Sequence, residues 1–283
     1  MRLAEIEAHI GNIAELLDIV GAMRSLAGMR LQEAQRALPG IRRYTETVAG
    51  AIGDALLLGE EATSQPQRRI GRQGVVLCTA EHGFVGGFNE RILDAAEAAI
   101  STADALFVLG TRGAALAQEH GRRIAWSHPM AARPEGVAEV VRRLSVQIFT
   151  SVVADRLESV DIIYPSHRQG GDGVIQQQRL FPIDPTHFAA PARRTPPLHN
   201  LPAGVLLERL VANYVSALLA EAAIESLASE NAARFAAMEA AHDNVAKKLE
   251  RLQQDARQAR QGEITEELLD LVSGASAVRR SAI

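Results

Sequence analysis

Residues 223–244, AIESLASENAARFAAMEAAHDN, hold no nucleophile with a base, no metal-ligand spacing and no glycine loop. Small alanines alternate with widely spaced Ile224, Leu227, Phe235 and Met238 and with a few charges. The stretch reads as part of a long, alanine-rich helix that carries no chemistry of its own. Outward from it, Leu207, Leu210, Tyr214, Ala217, Ile224, Ala228, Phe235, Met238, Val245, Leu249, Leu252, Ala256 and Ala259 keep one register in steps of three and four. Glu221, Asn231 and His242 interrupt it, and after Gly262 the phase slips before Ile264, Leu268, Leu271, Ala275 and Val278 resume it. Within the C-terminal segment 204–283, a helix from about 204 to 278 rising ~1.5 Å per residue would be roughly 110 Å long. That is several times the width of a compact domain of this size, so it needs an extended partner.

The partner is at the other end of the chain. Across 1–58, Leu3, Ile6, Ile10, Ile13, Leu17, Val20, Ala27, Leu31, Ala34, Leu38, Ile41, Val48, Ile52 and Ala55 share one seam, which Arg24 and Thr45 break. The ~3.5-residue period is the sequence cause of a left-handed supercoil. Pro39-Gly40 should kink the helix, since proline removes a backbone donor and clashes with the preceding turn. Polar seam residues such as Asn231 and His242 are read as fixing register rather than as ligands.

The middle, 70–185, has a different grammar. Apolar runs GVVLCTA (74–80), ALFVLG (105–110), RRIAWS (122–127) and SVDIIYPS (159–166) alternate with helical stretches 89–101 and 136–158. Alternation of strand and helix indicates βαβ units and a mostly parallel, Rossmann-like sheet. A hairpin should follow, turning at RQGGDG (168–173) and returning along VIQQQRLFPI (174–183). Residues 186–203 are proline-rich and read as an extended linker. The expected fold is therefore α/β, with a long antiparallel coiled coil of N- and C-terminal helices and a central βαβ domain. The C-terminal helix should outrun its partner by roughly 20 residues, about 30 Å.

Composition narrows the function. The 283 residues carry a net charge of −4, and of the 30 basic residues only Lys247 and Lys248 are lysine. This gives no electrostatic case for nucleic acid or anionic membrane. The single Cys78 excludes an intramolecular disulfide and suits a reducing cytoplasm. No unbroken run of about 18 apolar residues suggests a bilayer span, and MRLAEIEAHIGNIAELL does not resemble a cleaved signal. A soluble, intracellular protein is expected.

EHGFVGGFNER (81–91) lies where doubly wound domains bind phosphate, between a strand and a helix. Its spacing is neither GxGxxG nor GxxxxGK[ST], and no lysine is present, so its glycines read as a tight turn. The histidines show no metal spacing, and Ser166, His167 and Asp172 lack a nucleophile elbow. No catalytic, cofactor-binding or metal-binding residue is expected. RQARQGEITEELLD (257–270) has a charged face, yet a solvated single helix beyond the shorter one would not need Ile264, Leu268, Leu271 and Val272, which calls for a protein neighbour.

Together these pieces resemble the gamma subunit of F-type ATP synthases over nearly the whole chain. LASENAARFAAMEAAHDN (227–244) and ARQGEITEELLDLVSGASAV (259–278) are similar to the family's two C-terminal patterns in long ungapped runs. AMRSLAGMRLQEAQ (22–35), RYTETV (43–48) and CTAEHGFVGGFN (78–89) resemble its remaining motifs. Arg30 and Glu33 depart from lysines usual there, EHGFVGG departs from DRGLCGG, and 199–202 lack the usual acidic segment, marking a divergent member.

The resemblance implies a non-catalytic rotor shaft turning inside a hexamer of alpha and beta subunits. Its partners would be those subunits, an epsilon subunit and the membrane c-ring. It would sit as a peripheral part of the complex on the cytoplasmic face of the cell membrane. The shaft's angle would bias each beta site through differential contacts. Carried over by motif, Met23, Arg30, Arg234, Arg260, Gln261, Thr265 and Glu267 would be contacts to the ring or between shaft helices. Long Arg and Gln stems with several donors suit bonds that form and break at successive angles. The competing reading is a stand-alone α/β nucleotide-binding enzyme with a helical dimerisation arm. Such an enzyme should concentrate its motifs at the strand ends of the middle domain, whereas here they lie on the helices.

Overall fold

A computed structural model describes residues 3–58, 71–154, 157–167, 173–184, 188 and 198–281. Helix α1 spans Leu3–Leu56 and continues through Pro39. Then come β1 (Arg72–Cys78), α2 (Phe88–Thr102), β2 (Ala105–Leu109), α3 (Thr111–Glu119) and β3 (Trp126–His128). A 3₁₀ turn at Pro134–Gly136 leads into α4 (Val137–Ala154), followed by β4 (Leu157–Ser166), β5 (Val174–Phe181) and α5 (Ala203–Ser281). Residues 168–172 of the expected hairpin turn at 168–173 and most of the 186–203 linker lie outside the described residues.

The chain forms two compact units, Ala27–Arg234 and the terminal pair Met1–Leu26 with Phe235–Ile283. In the larger unit the sheet order is β3-β2-β1-β4-β5. β2 and β4 flank β1 in parallel, β3 is parallel to β2, and β5 alone runs antiparallel, on β4. Alternation along β1 serves both faces, because successive side chains point to opposite sides of a sheet. Val76 and Cys78 face a core with Leu144 and Ile148 of α4, Ala34 and Leu38 of α1, and Val215 and Leu219 of α5. Val75 and Leu77 face Leu93, Ala96 and Ile100 of α2 and Ala114 and Ala117 of α3. Mixed α/β architecture with a mostly parallel sheet and packed terminal helices is the arrangement expected from the sequence.

Two boundaries differ. The strand expected at 122–127 forms only at Trp126–His128; Arg123 and Ala125 are exposed, and Ala125 N–H already donates to Leu106 O at 2.9 Å before the ladder begins. Helix α4 ends at Ala154 rather than 158, since Leu157 is a buried start of β4. α3, which the strand runs left undelimited, begins just after Gly110 (φ 107), where a Cβ would meet Thr79 O at 2.4 Å.

The seam is visible in burial: Val20, Ala27, Ala34, Leu38, Val48, Ile52 and Ala55 of α1 are all buried. Its polar interruptions are paired. Thr45 donates to Ile41 O at 3.0 Å and to Glu221 at 3.4 Å, and Arg24 pairs with Glu239 at 3.4 Å. By mean hydropathy, 1.4 over eighteen residues, α5 does contain a stretch apolar enough to cross a membrane, contrary to the unbroken-run criterion. Val215, Ala217, Leu218 and Leu219 of α5 pack into the core, although only 22% of that stretch is buried.

Candidate functional site

In an open α/β sheet, ligands bind outside the carboxyl ends of the strands where the order reverses. Here that crevice lies past β1 and β4, and α5 occupies it. Every residue from Ala222 to Asn231 is buried. Past β4, Ser229 Oγ donates to Pro165 O at 3.1 Å, and the Glu225 carboxylate accepts His167 N–H at 3.1 Å. Glu225 also pairs with Arg42 of α1, which donates to Glu221 at 3.3 Å as well. Beside these carboxylates, burial first and then Glu221 and Glu225 push the Tyr164 hydroxyl up to about 12.

Past β1, Glu230 accepts the backbone N–H groups of Glu81 at 3.2 Å and His82 at 3.3 Å. Arg234 donates to the carbonyls of His82 and Gly83, both at 3.2 Å, to Asn231 Oδ1 at 3.2 Å and to Glu230 at 2.5 Å. The side chains of Arg234 and Glu230 are 8% and 3% exposed. A buried pair of this kind persists only when its remaining donors and acceptors are satisfied, as these are.

The anion position itself is filled from within. Glu81 accepts Thr111 N–H at 3.0 Å and Thr111 Oγ1–H at 2.7 Å, at the N-terminus of α3, and Met130 N–H at 2.8 Å. Those are the donors a phosphate would use. Asn89 Oδ1 accepts Ala80 N–H at 2.9 Å, closing the turn from the other side. Phe84 crowns the loop with φ 61 and 68% exposure, a left-handed conformation that costs a non-glycine residue on the order of 1–3 kcal/mol. Among the described residues no group of three His, Cys, Asp or Glu is placed to hold a metal ion.

The seven residues singled out by motif are scattered. Met23 is half-buried in the terminal unit, and Arg30 is half-buried in the larger one with its Nε lacking a partner. Arg234 is enclosed by the loop just described. Arg260 reaches Glu7 of α1 at 2.6 Å, with side-chain exposures of 63% and 49%. Gln261, Thr265 and Glu267 are exposed, and Thr265 Oγ1 donates only to Gln261 O at 2.8 Å. Nothing from Gln261 to Leu269 is covered, including Ile264, Leu268 and Leu269. Sequence reasoning missed Glu81, Glu225 and Glu230. The available signal was the placement of Glu221, Glu225, Glu230 and Arg234 inside an otherwise apolar stretch, at spacings of four and five.

A family model for ATP synthase matches residues 2–278. The ATP synthase gamma chain of Geobacter metallireducens is 27% identical over 294 residues, covering 98% of this chain and 99% of that one. That of Saccharopolyspora erythraea is 27% identical over 302 residues, covering 98% and 97%. A structure of the Euglena gracilis mitochondrial ATP synthase, with F1 and c-ring, contains a similar chain at TM-score 0.68 and 12% identity, covering 98% of this chain and 94% of that one. One of the Tetrahymena thermophila mitochondrial ATP synthase central stalk and c-ring gives TM-score 0.56 at 18% identity, covering 79% and 99%. With the family model spanning nearly its whole length and gamma chains matching it end to end, the chain belongs to the ATP synthase gamma family.

Proposed function

We propose that the chain is the central rotor shaft of a rotary F-type ATP synthase, mechanically coupling ion translocation through a membrane ring to ATP synthesis or hydrolysis on beta subunits. The observation that carries this reading, beside family membership, is the crevice filled by α5. The place where an α/β enzyme would hold a nucleotide is closed by Glu81, Glu225 and Glu230 and crossed by the long helix. The chain itself does no chemistry; it belongs to a complex that hydrolyses ATP. The uncovered Ile264, Leu268 and Leu269 fit a protein bearing better than solvent.

By family analogy the partners are the alpha and beta subunits of the catalytic hexamer, an epsilon subunit and the c-ring, at the cytoplasmic face of the membrane. Met23, Arg30, Arg260, Gln261, Thr265 and Glu267 are proposed contacts of the shaft with the ring or between its helices. Arg234 is proposed to act from inside the fold. Co-purification of the tagged chain from its own cell tests the reading: alpha and beta subunits should come with it. Purified alone, the chain should not turn over ATP. Turnover that survives repurification and vanishes on Gly86→Ala or Gly87→Ala would favour a nucleotide enzyme instead.

A further inference from the structure

Four parallel strands end on one side of the sheet, and all four ends are tied to α5. The loop after β1 is bonded to Glu230 and Arg234, and the segment after β4 to Ser229 and Glu225. The ends of β2 and β3 are reached through Glu81, whose backbone N–H is held by Glu230 while its carboxylate holds Thr111 and Met130. One helix, through Glu225 and Ser229 on one face and Glu230 and Arg234 on another, thus anchors the whole carboxyl edge of the sheet.

The choice of chemistry is informative. A buried ion pair contributes little net cohesion, since desolvation offsets the attraction, and well-packed apolar residues often serve stability better. Directional bonds supply what apolar contacts lack: they resist sliding and twisting. Glu230 and Arg234 lie one turn apart on one face and grip both polarities of one backbone segment, N–H groups at 81–82 and carbonyls at 82–83. Such a clamp fixes the loop in rotation as well as in translation.

We propose that Glu230 and Arg234 are positioning residues that key the α/β sheet to helix α5, so that torque passes between them without slip. The proposal rests on the shaft reading and adds to it the element through which force enters the shaft from its domain. Arg234 on this account acts through the β1–α2 loop rather than by touching a neighbouring subunit.

The test uses the complete enzyme, assembled with its alpha, beta and membrane subunits in lipid vesicles and driven by ATP. Glu230→Gln should raise amide exchange at Glu81 and His82 about tenfold. It should also lower ions pumped per ATP hydrolysed about threefold. Ile148→Val, a core change on α4 that removes none of the clamp's hydrogen bonds, serves as the control for general loosening and should keep that ratio at the wild-type value. If Glu230→Gln does not fold, Arg234→Lys carries the same test, because lysine keeps the charge and loses the fork that reaches two carbonyls. An unaltered pumping ratio in the clamp variant, or an equal fall in Ile148→Val, overturns the proposal. A wild-type chain that never assembles with alpha and beta refutes the shaft reading itself, before any variant is compared.

Discussion

Helix α5 passes through two environments, and Ile, Leu and Glu occur in both. From Ala222 to Asn231 it is enclosed on every side, and from Gln261 to Leu269 it is bare on every side. In the larger unit an Arg–Glu pair one turn apart is 8% and 3% exposed and holds a loop; in the terminal unit Arg260 and Glu7 meet at 63% and 49% exposure. The terminal unit has a thin seam, with Ile6, Val20, Met238, Leu252 and Ala256 as its buried apolar residues among those described. The contrast teaches that enclosure, rather than residue identity, sets what a charge is worth. Desolvation magnifies both the gain from a partner and the loss when it is removed.

Breaking the enclosed pair should have the largest effect. Glu230→Ala leaves the Arg234 guanidinium buried without its carboxylate and should cost about 3–5 kcal/mol in urea unfolding of the isolated chain. A loss below about 1 kcal/mol would erase the distinction between the regions.

Alkali should also single out the larger unit. Burial pushes the Cys78 thiol from 9.0 up to about 12. Between these values the unfolded state binds fewer protons than the folded one, so stability is fully present below pH 9 and falls as pH rises towards 12. Between pH 8 and 11 the wild type should lose about 2 kcal/mol more than Cys78→Ala, read from denaturant midpoints. Equal losses in the two proteins would mean that the thiol ionises freely in the fold.

In the terminal unit, Met23→Lys should cost about 1 kcal/mol of stability and weaken ion pumping while ATP hydrolysis largely persists. Unchanged ATP-driven pumping in reconstituted vesicles would remove Met23 from the contact set. Smallest of all, Arg260→Ala or the double change Ile264→Ser with Leu268→Ser should shift unfolding of the isolated chain by no more than about 0.5 kcal/mol. The double change should nevertheless reduce co-purification with alpha and beta. Undiminished assembly would leave those exposed side chains without a partner role.

The sequence was most legible where burial repeats. Val20, Ala27, Ala34 and Leu38 announced the seam because a helix against a partner hides the same face every three or four residues. Val75 through Cys78 announced a central strand because both faces of a parallel sheet are covered. The edge strand Trp126–His128 was misplaced because it has too few buried positions to set a period. Glu81 and Glu230 stayed hidden for a different reason. They act across 149 residues of chain, and a polar pair at that separation leaves no local rhythm. Motif resemblance marked Arg234 as a contact to the ring or between shaft helices and did not give the loop carbonyls of His82 and Gly83 that it bonds, since a family pattern records which residue is kept and not what it touches.

The carboxylate of Glu81 sits where a phosphate group would be welcomed. Donors already held by an internal carboxylate are not on offer to an adenine nucleotide, however abundant it becomes. Changes in adenine nucleotide concentration should therefore leave this loop as it is.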